Sequence, residues 1–147
     1  RPDDAPLDLE AEATDRPLRI LAAEDNPTNQ VILRALLEPA GVDLQVAPDG
    51  QAAVDAAAGA EFDLILMDVQ MPRLSGVEAT REIRSREARE GGRRTPILAL
   101  SANVMTHQVE EYLQAGMDGF IAKPIDAAKL FEAIETGVAA AQAGRAA

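Results

Sequence analysis

Five residues of this chain have the types and settings for one kind of chemistry: the carboxylates Glu24, Asp25 and Asp68, the hydroxyl of Ser101 and the amine of Lys123. All sit at the ends of apolar runs: "LRILAA" leads into Glu24 and Asp25, "LILM" into Asp68, "ILAL" into Ser101 and "FIA" into Lys123. Three carboxylates gathered in one crevice repel, which raises their pKa values unless a cation neutralises them. A hard divalent ion with oxygen ligands, Mg²⁺ before others, meets that need. The lysine can then face a phosphoryl oxygen as a point charge, and the serine can donate a hydrogen bond to the same group. Such a set suits phosphoryl transfer onto an aspartate, which depends on positioning and charge neutralisation more than on covalent steps. Taken singly, each residue has a plainer use: Glu24, Asp25 and Ser101 can serve helix starts, and a lysine is usually a solvated charge. Lys123 is, however, one of two lysines beside 12 arginines.

The elements that must position these groups alternate strand and helix five times. Strand-like segments are expected at Leu18 to Ala23, Val42 to Ala47, Leu64 to Met67, Pro96 to Leu100 and Gly119 to Ala122, and the continuous apolar run of the third suits a strand covered on both faces, as in a parallel sheet. "NPTNQVILRALLE" predicts a helix with Ile32, Leu33, Leu36 and Leu37 on one face, stopped by Pro39 and Gly41. Asp49 is expected to cap a thin, alanine-rich helix over 51–58, and Ser75 one over 76–89. A fourth helix is expected from about Val104 to Ala115, and a last one after Asp126 that buries Leu130, Phe131, Ile134 and Val138. Five βα units predict an α/β, flavodoxin-like three-layer sandwich with a parallel sheet in the order 2-1-3-4-5. Ligands then bind at the switch point between strands 1 and 3, outside their carboxyl ends, where Glu24, Asp25 and Asp68 are delivered.

The chain has 147 residues, 47% of them apolar, enough for one core. No run approaches the roughly 20 apolar residues of a membrane span, the amino-terminal stretch is acidic, and a cytoplasmic domain without membrane contact is expected. The absence of cysteine excludes disulfides and thiolate chemistry, and a single histidine excludes multi-histidine zinc sites. A net charge of −11 argues against a nucleic-acid surface. Residues 1–17, acidic and proline-containing, are expected to form a mobile linker, and residues 141–147 a flexible tail beyond a domain spanning 18–140. The start at Arg1 suggests a longer protein upstream. The arginines between Arg73 and Arg94 alternate with Glu78, Glu82, Glu87 and Glu90, the pattern of a charge-laced helix face.

Four blocks, "AAEDNPTNQ", "LILMDVQMPRLSG", "ILALSAN" and "GMDGFIAKPI", together resemble the receiver domains of two-component response regulators, in the branch fused to hybrid histidine kinases. The resemblance runs from Leu18 to about Val138. It implies that Asp68 accepts phosphate from a phosphohistidine on a histidine kinase domain or a histidine phosphotransfer protein. It further implies that Asp25, Asp68 and the Gln70 carbonyl hold Mg²⁺ with Glu24 assisting, and that Lys123 and Ser101 contact the phosphoryl group. Phe120 matches a switch aromatic that packs inward when Ser101 moves toward phosphate, and Gln70 and Asn103 match positions that tune dephosphorylation. Phe120 stands where tyrosine is common, Ser75 where aspartate is, and Ser101 where threonine is. His107, on a polar helix without a kinase-type box, is expected to be an exposed residue and not the phosphodonor.

The reading to be tested is therefore a phosphorelay receiver that switches conformation, part of a hybrid kinase. A free-standing regulator and a receiver-like interaction domain that is never phosphorylated are the alternatives. An aspartate-dependent phosphohydrolase is disfavoured by Gln70, since those enzymes resemble a pattern with a second aspartate there. A P-loop is absent.

Overall fold

In the computed structural model, which describes residues 17–91, 93–102 and 105–146, the apolar runs form strands β1 (Arg19–Ala23), β2 (Asp43–Ala47), β3 (Leu64–Asp68), β4 (Ile97–Ser101) and β5 (Gly119–Ala122). Between and after them lie helices α1 (Pro27–Leu37), α2 (Gly50–Gly59), α3 (Gly76–Glu90), α4 (Thr106–Ala115) and α5 (Ala127–Ala146). The strands pair in parallel in the order β2-β1-β3-β4-β5.

Alternation along each strand feeds two apolar layers. Leu64 and Leu66 of β3 join Leu33 and Leu37 of α1 and Leu130, Phe131, Ile134 and Val138 of α5 on one side of the sheet. Ile65 and Met67 join Ala53 of α2, Val77 and Ile83 of α3, and Tyr112 of α4 on the other. With both faces covered no residue of β3 can be solvated, and all five are buried. Each such aliphatic side chain contributes about 1.5–3 kcal/mol on burial.

Register, more than any single contact, sets the site. Ala23 pairs with Met67, so Glu24 and Asp68 leave the sheet at one level. Asp68 in turn pairs with Leu100, and Ser101 with Ala122, so Ser101 and Lys123 emerge alongside. Backbone bonds continue past the strand ends, from Glu24 N to Ala47 O at 2.9 Å and from Lys123 N to Ser101 O at 2.9 Å.

Helix starts follow local chemistry. Asp49 accepts from Ala52 N at 2.8 Å, and Ser75 forms a reciprocal capping box with Glu78. Asn26 caps α1, accepting from Thr28 N and Asn29 N, and thereby leaves Glu24 and Asp25 out of that duty. At Gly76 an added Cβ would lie 2.1 Å from the carbonyl oxygen of Asp68, so the start of α3 abuts the backbone that carries the acid. In the arginine-rich stretch Arg84–Glu87 and Arg86–Glu90 lace the helix face, while Arg84 and Arg94 also pair with Asp118 and Arg93 with Asp63, acids outside the helix.

Most boundaries shift by a residue or so from expectation, and larger or more telling differences occur in β4, α4 and α5. Strand β4 runs Ile97–Ser101 and not from Pro96, so Ser101 belongs to the sheet. Helix α4 begins at Thr106, and Val104 lies outside the described residues. Helix α5 continues to Ala146, through the segment expected to fray, because its alanines favour helix intrinsically even without an apolar stripe to dock. The expected linker over 1–17 lies, except for Pro17, outside the described residues. Among those residues no helix is long and apolar enough to cross a membrane.

Candidate functional site

At the carboxyl ends of β1, β3, β4 and β5 lies a cavity of about 310 Å³ lined by Glu24, Asp25, Asp68, Gln70, Ser101, Tyr112 and Lys123 among others. Six of the eight residues singled out from the sequence thus meet in one place. One oxygen each from Glu24, Asp25 and Asp68 lies within 4.8 Å of the others.

Burial divides their duties. Glu24 is 0% exposed and Asp68 4%, whereas Asp25 is open to solvent at the mouth. Lys123 Nζ bridges the two buried acids, 3.3 Å from Glu24 Oε1 and 3.3 Å from Asp68 Oδ2. The contact to Glu24 is ionic without hydrogen-bond alignment, and Glu24 Oε1 has no hydrogen-bond donor. Its other oxygen accepts from Asn26 N at 3.1 Å, and its backbone carbonyl accepts from Gln30 Nε2 at 2.6 Å. Asp68 Oδ1 accepts from Gln70 N at 3.2 Å. These contacts fix both carboxylates on the backbone and leave their remaining lone pairs turned to the cavity.

Burial raises the pKa of Asp68 above the ordinary carboxylate value, and the neighbouring Glu24 carboxylate raises it further. The Gln70 amide and the Lys123 ammonium pull it the opposite way. Three carboxylates against one ammonium leave a formal charge of −2. That charge, the all-oxygen donor set and the orphaned Glu24 Oε1 are what a hard divalent ion requires. The acid cluster can hold a metal ion.

Ser101 is buried, and its Oγ lies 2.7 Å from the hydroxyl of Tyr112, itself 2% exposed. It caps no helix, since the residue before α4 is Met105. Phe120 does not join the cavity. It is 43% exposed and lines a separate groove of about 770 Å³ with Leu98 and α5. Asn103 lies outside the described residues. His107 is exposed, with its ring against Gln108 at 3.1 Å, as expected of a surface residue.

Sequence reasoning missed Tyr112, Gln30 and Asn26. Tyr112 follows Gln108 by one helical turn, and a lone tyrosine one turn beyond a polar residue is the only sign of it that the sequence carries. The two backbone anchors around Glu24 depend on the local path of the chain and leave no pattern in the sequence.

Residues 20–135 match the model of the response regulator receiver domain. The chain is 42% identical to hybrid signal transduction histidine kinase I of Dictyostelium discoideum over 83% of its length, and 39% identical to the sensor protein GacS of Pseudomonas syringae pv. syringae over 86%. It spans only 7% and 14% of those relatives. Among solved structures, the receiver domain of a Pseudomonas aeruginosa PAO1 sensor histidine kinase, with magnesium coordinated in its active-site cleft, superposes with a TM-score of 0.75. That match has 41% identity and covers 84% of this chain and 98% of the other. The receiver domain of Saccharomyces cerevisiae Ssk1, crystallised with the histidine phosphotransfer protein Ypd1, gives a TM-score of 0.81 at 30% identity, covering 84% and 90%.

Proposed function

The chain belongs to the response regulator receiver family, and on that premise we propose that it is the phosphoacceptor station of a hybrid histidine kinase phosphorelay, with Asp68 as the acceptor. Lys123 carries the proposal: its ammonium stands 3.3 Å from Asp68 in a pocket where the other acids leave a negative excess.

The donor is a phosphohistidine on a kinase dimerisation domain or on a histidine phosphotransfer protein. An Asp68 carboxylate oxygen attacks phosphorus, the bond from phosphorus to the imidazole nitrogen breaks, and the nitrogen keeps the electron pair. The Gln70 amide holds Asp68 Oδ1, so Oδ2 faces the incoming group beside Lys123. The lysine pairs with the charge that arrives, and Ser101 donates its hydroxyl to a phosphoryl oxygen. Glu24, Asp25, Asp68 and the Gln70 carbonyl would hold Mg²⁺, which neutralises oxygen charge on the phosphoryl group when bound. Gln70, exposed at the mouth, governs with Asn103 how water reaches the product. Phe120, outward here, turns inward as Ser101 shifts, a change of population set by the differential stability that phosphate confers. The kinase cores that make phosphohistidine use ATP, so the domain works in the cytoplasm.

A histidine phosphotransfer protein carrying radiolabelled phosphate tests the reading. With Mg²⁺ present the label should leave the donor and appear on this chain, and Asp68→Asn should receive none. Label that stays on the donor, or that reaches the Asn variant equally, would overturn it.

A further inference from the structure

Among the described residues, Tyr112 is the buried polar group at the site that the transfer chemistry above does not use. Its ring packs in the apolar layer with Met67, Ala99 and Ala115, so the ring has little freedom. Its hydroxyl emerges into the cavity and meets Ser101 Oγ at 2.7 Å, with both residues buried. Ser101 can rotate among staggered wells, whereas the tyrosine hydroxyl is held by its ring. The serine hydroxyl can thus exchange its contact with Tyr112 on α4 for an oxygen that occupies the space beside Asp68.

We propose that Tyr112 is a positioning residue that holds the Ser101 hydroxyl on α4 at rest and gives it up when Asp68 is phosphorylated, so that helix α4 senses the state of the pocket. The inference rests on Asp68 being the phosphoacceptor. When Ser101 turns to the phosphoryl oxygen, its 2.7 Å bond to the Tyr112 hydroxyl is given up, and a tie between α4 and the end of β4 is lost. Occupancy of the pocket and the placement of α4 are thereby coupled through one hydrogen bond.

The chain carries its own reporter, because it has one tyrosine and no tryptophan, and its intrinsic emission comes from Tyr112 alone. Adding beryllofluoride, a phosphoryl mimic, with Mg²⁺ should change that emission and the tyrosine absorption band. Ser101→Ala should show the altered signal from the start and respond no further. Tyr112→Phe keeps the ring and removes the hydroxyl that Ser101 meets at 2.7 Å, so its phosphorylation by acetyl phosphate should be faster by roughly fivefold, the equivalent of one neutral hydrogen bond. In the Ser101→Ala background the same substitution should leave the rate unchanged. Tyrosine emission that stays constant while intact mass shows wild type phosphorylated, or a Tyr112→Phe rate equal to wild type, would overturn the coupling and leave the acceptor assignment standing. A wild-type chain that takes no phosphoryl group at all would overturn both.

Discussion

Lys123 Nζ lies 3.3 Å from Asp68 Oδ2, an ammonium from the end of one strand set against a buried carboxylate from the end of another. The same amine neutralises Glu24, so removing it leaves two desolvated acids facing each other. Lys123→Gln should lower the stability of the metal-free protein by about 3 kcal/mol, the usual penalty for orphaning a buried charge. Urea denaturation at neutral pH measures it. Adding Asp68→Asn to that variant should recover part of the loss, since one of the two orphaned charges is then gone.

Asp68 itself works against folding stability at neutral pH. Its pKa is raised by burial and by Glu24, so the folded chain holds the proton more tightly than the unfolded one. The stability that follows is fully present below the ordinary carboxylate range and is lost as pH rises through the raised value. Asp68→Asn should therefore melt a few degrees above wild type at pH 7 without metal. Melting curves at successively lower pH should show that gain shrinking through the acid range. A gain that grew on acidification would contradict the assigned direction.

Asp25 is exposed and bears little of the fold, but it completes the acid cluster. Mg²⁺ at ten times its dissociation constant should stabilise wild type by about 1.4 kcal/mol. Asp25→Asn should weaken magnesium binding by roughly tenfold, the order of effect seen when a carboxylate near a metal is lost, while leaving the metal-free melting point almost unchanged. Isothermal calorimetry and thermal shift together separate the two effects.

Gly76 is required for close approach. A methyl group there would meet the Asp68 carbonyl oxygen at 2.1 Å, and the backbone cannot yield without displacing the acid. Gly76→Ala should cost about 3 kcal/mol and slow phosphorylation as well. Gly59→Ala, where nothing lies within 4 Å of the added carbon, should be neutral or stabilising by about 0.5 kcal/mol.

The features most readable in the sequence are those set by period and register. The unbroken apolar run of β3 implied burial on both faces, and parallel order then fixed which acids share an edge. Asp49 and Ser75 cap helices as their types require. Contacts that depend on how a helix seats on the sheet were not readable: nothing in "VEEYLQA" states how far the Tyr112 hydroxyl reaches toward Ser101. Phe120 lies in a four-residue strand at the sheet edge, too short for alternation to fix its face. The alanine-rich end of α5 lacks an amphipathic pattern, and its intrinsic propensity prevailed.

Mass spectrometry of the chain after acetyl phosphate and Mg²⁺, with the acyl phosphate trapped by hydride reduction and mapped by peptide, tests the central claim most directly. The account predicts one phosphoryl group, dependent on Mg²⁺, on the peptide containing Asp68, and none in Asp68→Asn. Modification at another residue, or a wild-type chain left unmodified under conditions that label other receivers, would contradict it.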